Sequence, residues 1–346
     1  MNSITTSEIY TKHAHDFASM LRDCVAQSTS EETAMRVNAQ ITPVGRYTER
    51  APRTPRPAKV ATPPAPSVVL ESADEVYTRP NGAKYHARKW GDNQDVATLR
   101  RAREATTFAV EHKTGSPMFA LLYGAPGTGK TALVEASFGE HLYTVLGTAD
   151  IEMSDFIGGY TTTPSGGFDW VDGPLVRAIE EGATLFIDEI GLIDPKVLSG
   201  LYGVMDGRGE LTITANPDRG TVKVHPNFYV VGATNPNAPG VRLSEALLSR
   251  FTLQAEMGTD WSLARTLGVP TNIVTVAQNL FKKQETGETS WSPQMRELLA
   301  FRDIAGVFGA PFAIQNLLAS APEIDRPVVS DVMSRVFGAE YKPAKI

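Results

Sequence analysis

Met118-Phe119-Ala120-Leu121-Leu122-Tyr123-Gly124-Ala125-Pro126-Gly127-Thr128-Gly129-Lys130-Thr131 decides how the rest of the chain is read. An apolar run of strand type ends in a glycine-rich turn that closes on Lys-Thr, giving G-x-x-x-x-G-K-T from Gly124 to Thr131. Glycines at this spacing let backbone N–H groups curl around a phosphate with no Cβ in the way. Gly124, Ala125, Pro126, Gly127, Thr128 and Gly129 form the cradle. Lys130 sets an ammonium against the β- and γ-phosphates, and Thr131 offers a hydroxyl to Mg²⁺. A helix former, Ala132-Leu133-Val134-Glu135, follows at once, so a helix N-terminus turns its positive end towards the same anion, with Ala132 completing the cradle. The expected ligands are ATP and Mg²⁺.

The chain has 346 residues, enough for two or three domains and a sizeable core. No apolar run reaches membrane-spanning length. Residues 1–27 carry acidic side chains and no long apolar segment, so they do not read as a secretory signal. Cys24 is the single cysteine, which rules out a disulfide framework within one chain and fits a reducing cytoplasm. The net charge of −6 is uneven: residues 1–70 carry +2 and the remainder −8. An acidic body argues against a surface that tracks nucleic acid.

Residues 1–40 read as a helical or partly ordered segment, with Ile9, Phe17, Met20 and Leu21 loosely periodic. Residues 41–75 are rich in Pro, Ala and Arg and read as an extended linker. Asn81-Gly82 between strand formers predicts a small hairpin, and Asp95–His112 a helix. Beyond the phosphate loop, a helix (Lys130–Phe138) leads to strands at 141–146, 183–187 and 228–234, with helices at 175–181, 195–205 and 244–249 between them. Alternating strands and helices predict an α/β domain over residues 76–257, a parallel sheet flanked by helices, with ligands at the carboxyl ends of the strands. Residues 258–346 change character. Helices are predicted at 260–267, 271–285, 293–307, 311–320 and 327–337, a small all-helical lid domain.

Leu185-Phe186-Ile187-Asp188-Glu189 is an apolar strand ending in two carboxylates, 58 residues after Lys130. In a parallel sheet Asp188 then stands beside the phosphate loop to hold Mg²⁺ or its water, and Glu189 polarises the water that attacks the γ-phosphate. Asn235 falls at the end of the next strand.

Gly124 to Thr131, Asp188-Glu189, Thr234-Asn235 and Leu248-Ser249-Arg250-Phe251 together resemble an AAA+ ATPase. Three further stretches narrow the likeness to the MoxR branch, especially its CbbQ/NirQ-like members: Phe156-Ile157-Gly158-Gly159-Tyr160, Phe168-Asp169-Trp170-Val171-Asp172-Gly173-Pro174-Leu175 and residues 200–213. The resemblance covers about residues 95–330 and leaves residues 1–80 without a counterpart. It implies a homo-oligomeric, hexameric ring. Asn235 would be a first sensor at the γ-phosphate, and Arg250 an arginine finger reaching the neighbouring subunit's site. A lid arginine would be a second sensor; Arg296 fits best, off the family's tighter spacing, with Arg302 in reserve. It also implies a protein client or a partner with a von Willebrand A-type domain.

Residues 158–173 predict a Gly/Thr-rich hairpin. Its Tyr160, Phe168 and Trp170 either line a central pore or pack the hairpin's own base. A second hairpin is predicted from 211–214 and 221–224. Two competing readings remain. A nucleic-acid motor or helicase loader is supported only by the basic linker. A poorly hydrolysing nucleotide scaffold is opposed by the joint presence of Glu189, Asn235 and Arg250.

Overall fold

The computed structural model describes residues 75–343, apart from residue 165. The helical segment expected within 1–40, almost all of the linker expected at 41–75, and Cys24 lie outside the described residues.

Five strands form one sheet: β1 (Ala120–Tyr123), β2 (Leu142–Leu146), β3 (Thr184–Asp188), β4 (Tyr229–Thr234) and β5 (Leu253–Glu256). Their spatial order is β5-β1-β4-β3-β2, and every pairing is parallel. Burial on both faces explains the continuous apolar runs in β1, β3 and β4; all six residues of β4 are buried. The parallel sheet flanked by helices, followed by helices in the C-terminal region, agrees with the predicted fold class.

Register places the chemistry. Gly232 of β4 lies opposite Leu121 of β1 and Ile187 of β3, so Tyr123, Asp188 and Thr234 end their strands along one edge. Two backbone bonds fasten that edge: Gly124 N–H donates to Thr234 O at 3.2 Å, and Gly147 N–H to Asp188 O at 2.7 Å. Gly124 is required where it stands. A Cβ there would lie 2.3 Å from Met257 O, and its φ is +149°.

Helix α1 (Asp95–His112) and helix α2 (Lys130–Phe138) pack on the sheet, as does α3 (Pro174–Glu181). Arg100 ties α1 to α2 by donating from Nε to Ser137 O at 2.9 Å. The predicted helix at 195–205 is instead three short pieces, Pro195–Leu198, a 3-10 turn Ser199–Leu201 and Tyr202–Met205. Two glycines, Gly200 and Gly203, weaken helix propensity inside that stretch. Strand β5 was not expected. Leu253 and Ala255 alternate with Gln254 and Glu256 over only four residues, too short a pattern to separate from a loop.

Both hairpins form. Gly158–Thr162 pairs with Phe168–Asp172, and Glu210–Thr212 with Thr221–Lys223. Arg219, in the connecting loop of the second hairpin, reaches the base of the first: its Nη2 lies 3.1 Å from Asp172 Oδ2 and 2.5 Å from Glu180 Oε2 of α3. Burial pushes the Asp172 carboxyl up, but hydrogen bonds from Arg219 and Trp170 outweigh it and hold it below the usual carboxylate range. The three hairpin aromatics differ in exposure. Tyr160 and Phe168 are exposed, at 54% and 70%. Trp170 is partly buried, donates Nε1–H to Asp172 at 2.7 Å and meets the Tyr160 ring edge-on.

After Gly258 come α4 (Trp261–Thr266), α5 (Thr271–Glu285), α6 (Met295–Phe308), α7 (Ala310–Ser320) and α8 (Arg326–Phe337). They share a hydrophobic cluster of their own, including Ile273, Leu280, Leu298, Phe301, Leu317 and Met333, distinct from the cluster around the sheet. Helix α6 begins with Glu297 accepting from Gln294 N–H at 2.9 Å, a capping contact that fixes the direction of its first turn.

Candidate nucleotide site

The phosphate loop runs from the end of β1 into α2. Gly129, at φ +96°, is the residue before the helix and offers no capping side chain, so the first N–H groups of α2 remain free for an anion. Lys130 is buried, and its ammonium folds back to donate to Gly124 O at 2.8 Å and Ala125 O at 3.0 Å. Burial lowers the Lys130 pKa, partly countered by the nearby Glu189 and Asp188 carboxylates. A phosphate beside Lys130 would restore the missing counter-charge.

Thr131 Oγ donates to Asp188 Oδ2 at 2.8 Å. A hydroxyl and a carboxylate brought together across two elements form a hard-oxygen pair that suits Mg²⁺, which completes its octahedron with phosphate oxygens and water. Among the described residues there is no cluster of three or more His, Cys, Asp or Glu. Such a cluster would suit a metal held wholly by side chains, whereas the Thr131–Asp188 pair fits an ion shared with a nucleotide.

Glu189 sits in the left-handed region at φ +50°, ψ +39°. For a non-glycine residue this costs on the order of 1–3 kcal/mol and is retained where the surroundings demand it. Its Oε2 is buried and has no hydrogen-bond partner. Glu189 thus stands one residue past Asp188 with a buried oxygen that no hydrogen bond occupies.

A cavity of about 460 Å³ brings Gly127 to Ala132, Asp188 and Glu189 together with residues from two further regions. One is the β-hairpin of Val76–Thr78 and Lys84–His86, continued by Arg88; the other is the helical segment, through Leu263, Leu267, Met295, Arg296 and Leu299. Arg296 N–H donates to Gly127 O at 3.2 Å, and a Cβ on Gly127 would stand 3.0 Å from Arg296 Cβ. Arg302 is elsewhere, donating to Leu267 O and to Asp303 at 2.8 Å each. Of the two arginines proposed as second sensor, the structure brings only Arg296 to the loop.

Two further candidates stand outside this cavity. Asn235 follows β4 and uses its Oδ1 to accept from Asn237 N–H at 3.2 Å. The guanidinium of Arg250 lies 3.9 Å above the Tyr202 ring, and its Nη2 donates to Asp206 at 2.8 Å. The Arg250 Nε is also 2.8 Å from Asp206 Oδ1 but is not aligned for a hydrogen bond.

A model of the AAA domain (dynein-related subfamily) matches residues 120–251, from β1 to just past Arg250. An uncharacterized protein of Staphylococcus epidermidis is 30% identical over 226 residues, covering 60% of this chain and 85% of the relative. The chain belongs to the AAA+ ATPase family. Other relatives match over shorter spans. An uncharacterized Staphylococcus haemolyticus protein is 37% identical over 142 residues, 38% of this chain and 53% of its own length. The chain thus spans about half of that relative. Midasin from Dictyostelium discoideum is 32% identical over 146 residues, 39% of this AAA+ chain but 2% of midasin.

Two groups of wall residues in this AAA+ site carry no sequence signal. Leu263, Leu267 and Leu299 look like ordinary helix-core leucines, and Arg88 is one cation among Lys84, His86 and Lys89. Only the folded arrangement sets them against the loop.

Replacing Arg296 with Ala is expected to weaken ATP binding or turnover by about tenfold, the loss of one charge-assisted contact, while Arg302→Ala leaves both near the parent value. Parallel titration and turnover assays of the two variants check this; the reverse ranking would reassign the role.

Proposed function

We propose that this chain hydrolyses ATP to ADP and phosphate as a MoxR-like AAA+ ATPase, working as a hexameric ring in the cytoplasm to remodel or activate a protein partner. The observation that carries the chemistry is the Thr131–Asp188 hydrogen bond beside Glu189, whose buried Oε2 has no hydrogen-bond partner. Mg²⁺ held by Thr131 and Asp188 would neutralise charge on the β- and γ-phosphates. Lys130 exchanges its two carbonyl partners for phosphate oxygens. Glu189 accepts a proton as water attacks the γ-phosphorus, the bond to the bridging oxygen breaks and ADP leaves. Asn235, next to that strand end, orients the water. Arg296 contacts the nucleotide from the helical side, and Arg250 acts on the site of an adjoining subunit.

The remodelling part rests on the two hairpins. Tyr160 and Phe168 give one of them an exposed aromatic surface, and Arg219 ties the loop of the other to Asp172 of the first. A protein client, or a partner with a von Willebrand A-type domain, is the expected recipient. The division of labour assigns residues 76–257 to nucleotide chemistry and 258–346 to a lid whose angle follows the nucleotide.

Lys130→Ala should abolish ATP binding, because the ammonium lies inside the phosphate loop, bonded to Gly124 O and Ala125 O where the β- and γ-phosphates would sit. Titration with labelled ATP reads this directly, and binding within twofold of the parent would overturn the site assignment. Phosphate release from Mg·ATP by the parent protein tests the activity itself; no release from a nucleotide-binding protein would favour the scaffold reading.

A further inference from the structure

Hydrolysis as derived above leaves one buried cation of the cavity unused. Arg88 has a side chain only 12% exposed. Its guanidinium is pinned on three sides. Nη1 donates to Thr128 O at 3.0 Å and to Gly258 O at 3.3 Å. Nε donates to the Tyr85 hydroxyl at 3.2 Å and lies 3.6 Å from Asp95 Oδ2. Tyr85 in turn donates to Asp95, whose other oxygen accepts from Arg88 N–H at 3.0 Å. The remaining nitrogen, Nη2, is buried and has no partner. It faces the phosphate loop: a Cβ built on Gly129 would lie 3.6 Å from it.

A buried guanidinium N–H without an acceptor is costly, and the fixed contacts on Nη1 and Nε prevent the group from turning towards water. Of the two acids that line the same cavity, Asp188 is engaged by Thr131, and neither it nor Glu189 bonds to Arg88. An acceptor oxygen entering the cavity beside Gly129 would supply what Nη2 lacks. An anionic oxygen satisfies a guanidinium far better than a neutral one, and the loop segment beside Nη2 is the phosphate cradle itself.

We propose that Arg88 is a nucleotide-binding residue whose Nη2 donates to a phosphate oxygen of the bound nucleotide. This rests on the nucleotide reading of the site. The same guanidinium holds Gly258, where the chain leaves the sheet for the helical segment, so a phosphate on Nη2 is connected through one rigid group to that passage.

The test titrates ADP and adenosine into the full-length parent, Arg88→Gln and Arg88→Lys. Arg88→Gln should weaken ADP binding about tenfold and leave adenosine unchanged, with Arg88→Lys recovering part of the loss. ADP affinity within twofold of the parent in both variants would overturn the proposal, even if their thermal midpoints fall, because that pattern marks a purely structural arginine. Equal losses for ADP and adenosine would move the contact off the phosphates and overturn it as stated. Should Arg88→Gln fail to fold, Arg88→Lys keeps the charge and decides by the same comparison. A parent that binds no ADP fails the nucleotide reading itself, a separate outcome from variants that bind like the parent.

Discussion

Glu189→Gln should bind ATP like the parent and turn it over about 10²- to 10⁴-fold more slowly, the span attributed to a positioned general base. Glutamine keeps the shape of the side chain but cannot accept the proton. Lys130, Thr131 and Asp188 are untouched, so the nucleotide contacts persist. Stability offers a second readout. Oε2 of Glu189 is buried without a partner, and the residue's positive φ is equally demanding of Glu and Gln. Because Oε2 makes no hydrogen bond for the amide to break, the thermal midpoint should stay near that of the parent. Single-turnover phosphate release and nucleotide titration on the same preparation check both halves. Hydrolysis at the parent rate would remove Glu189 from the role of base. If turnover does stall, the variant becomes a trap for identifying the client.

Arg250→Ala should reduce turnover by on the order of 10³-fold, the lower range for an arginine finger, and leave nucleotide affinity nearly unchanged. Arg250 is not in the wall of its own chain's cavity, so its removal cannot act through that chain's binding contacts. Asp206 and Tyr202 hold its guanidinium at a fixed orientation, by ion pairing and by the face of the ring. Mixing Arg250→Ala with Lys130→Ala should restore part of the activity, because mixed interfaces pair an intact loop on one subunit with an intact arginine on the next. Mixtures that stay as inactive as either variant alone would count against action in trans.

Much of this was legible in the chain because the deciding elements are locally unambiguous. The glycine-rich turn from Gly124 to Gly129 cannot be mistaken for a strand or a helix, and Thr184–Asp188 and Tyr229–Thr234 carry buried runs too apolar for a surface position. Thr271–Glu285 was predicted to its ends, since Pro270 before it and the Thr286-Gly287 turn after it punctuate a long amphipathic pattern. What escaped reading depends on tertiary context. β5 is a four-residue edge strand whose identity comes from pairing with β1. The break at 199–201 follows from glycines that the apolar spacing concealed. Arg88 has no motif; it matters because Thr128, Gly258 and Tyr85 surround it in space. The choice of Arg296 over Arg302 likewise rests on the first turn of α6 meeting the loop.

The most direct test of the central claim is a structure of the Glu189→Gln protein with Mg²⁺ and ATP. The account predicts the metal on Thr131 Oγ and the Asp188 carboxylate, the γ-phosphate at the Lys130 ammonium, and residue 189 facing a water in line with the bond to be broken. A nucleotide bound away from this strand edge, or a metal that ignores both Thr131 and Asp188, would contradict it.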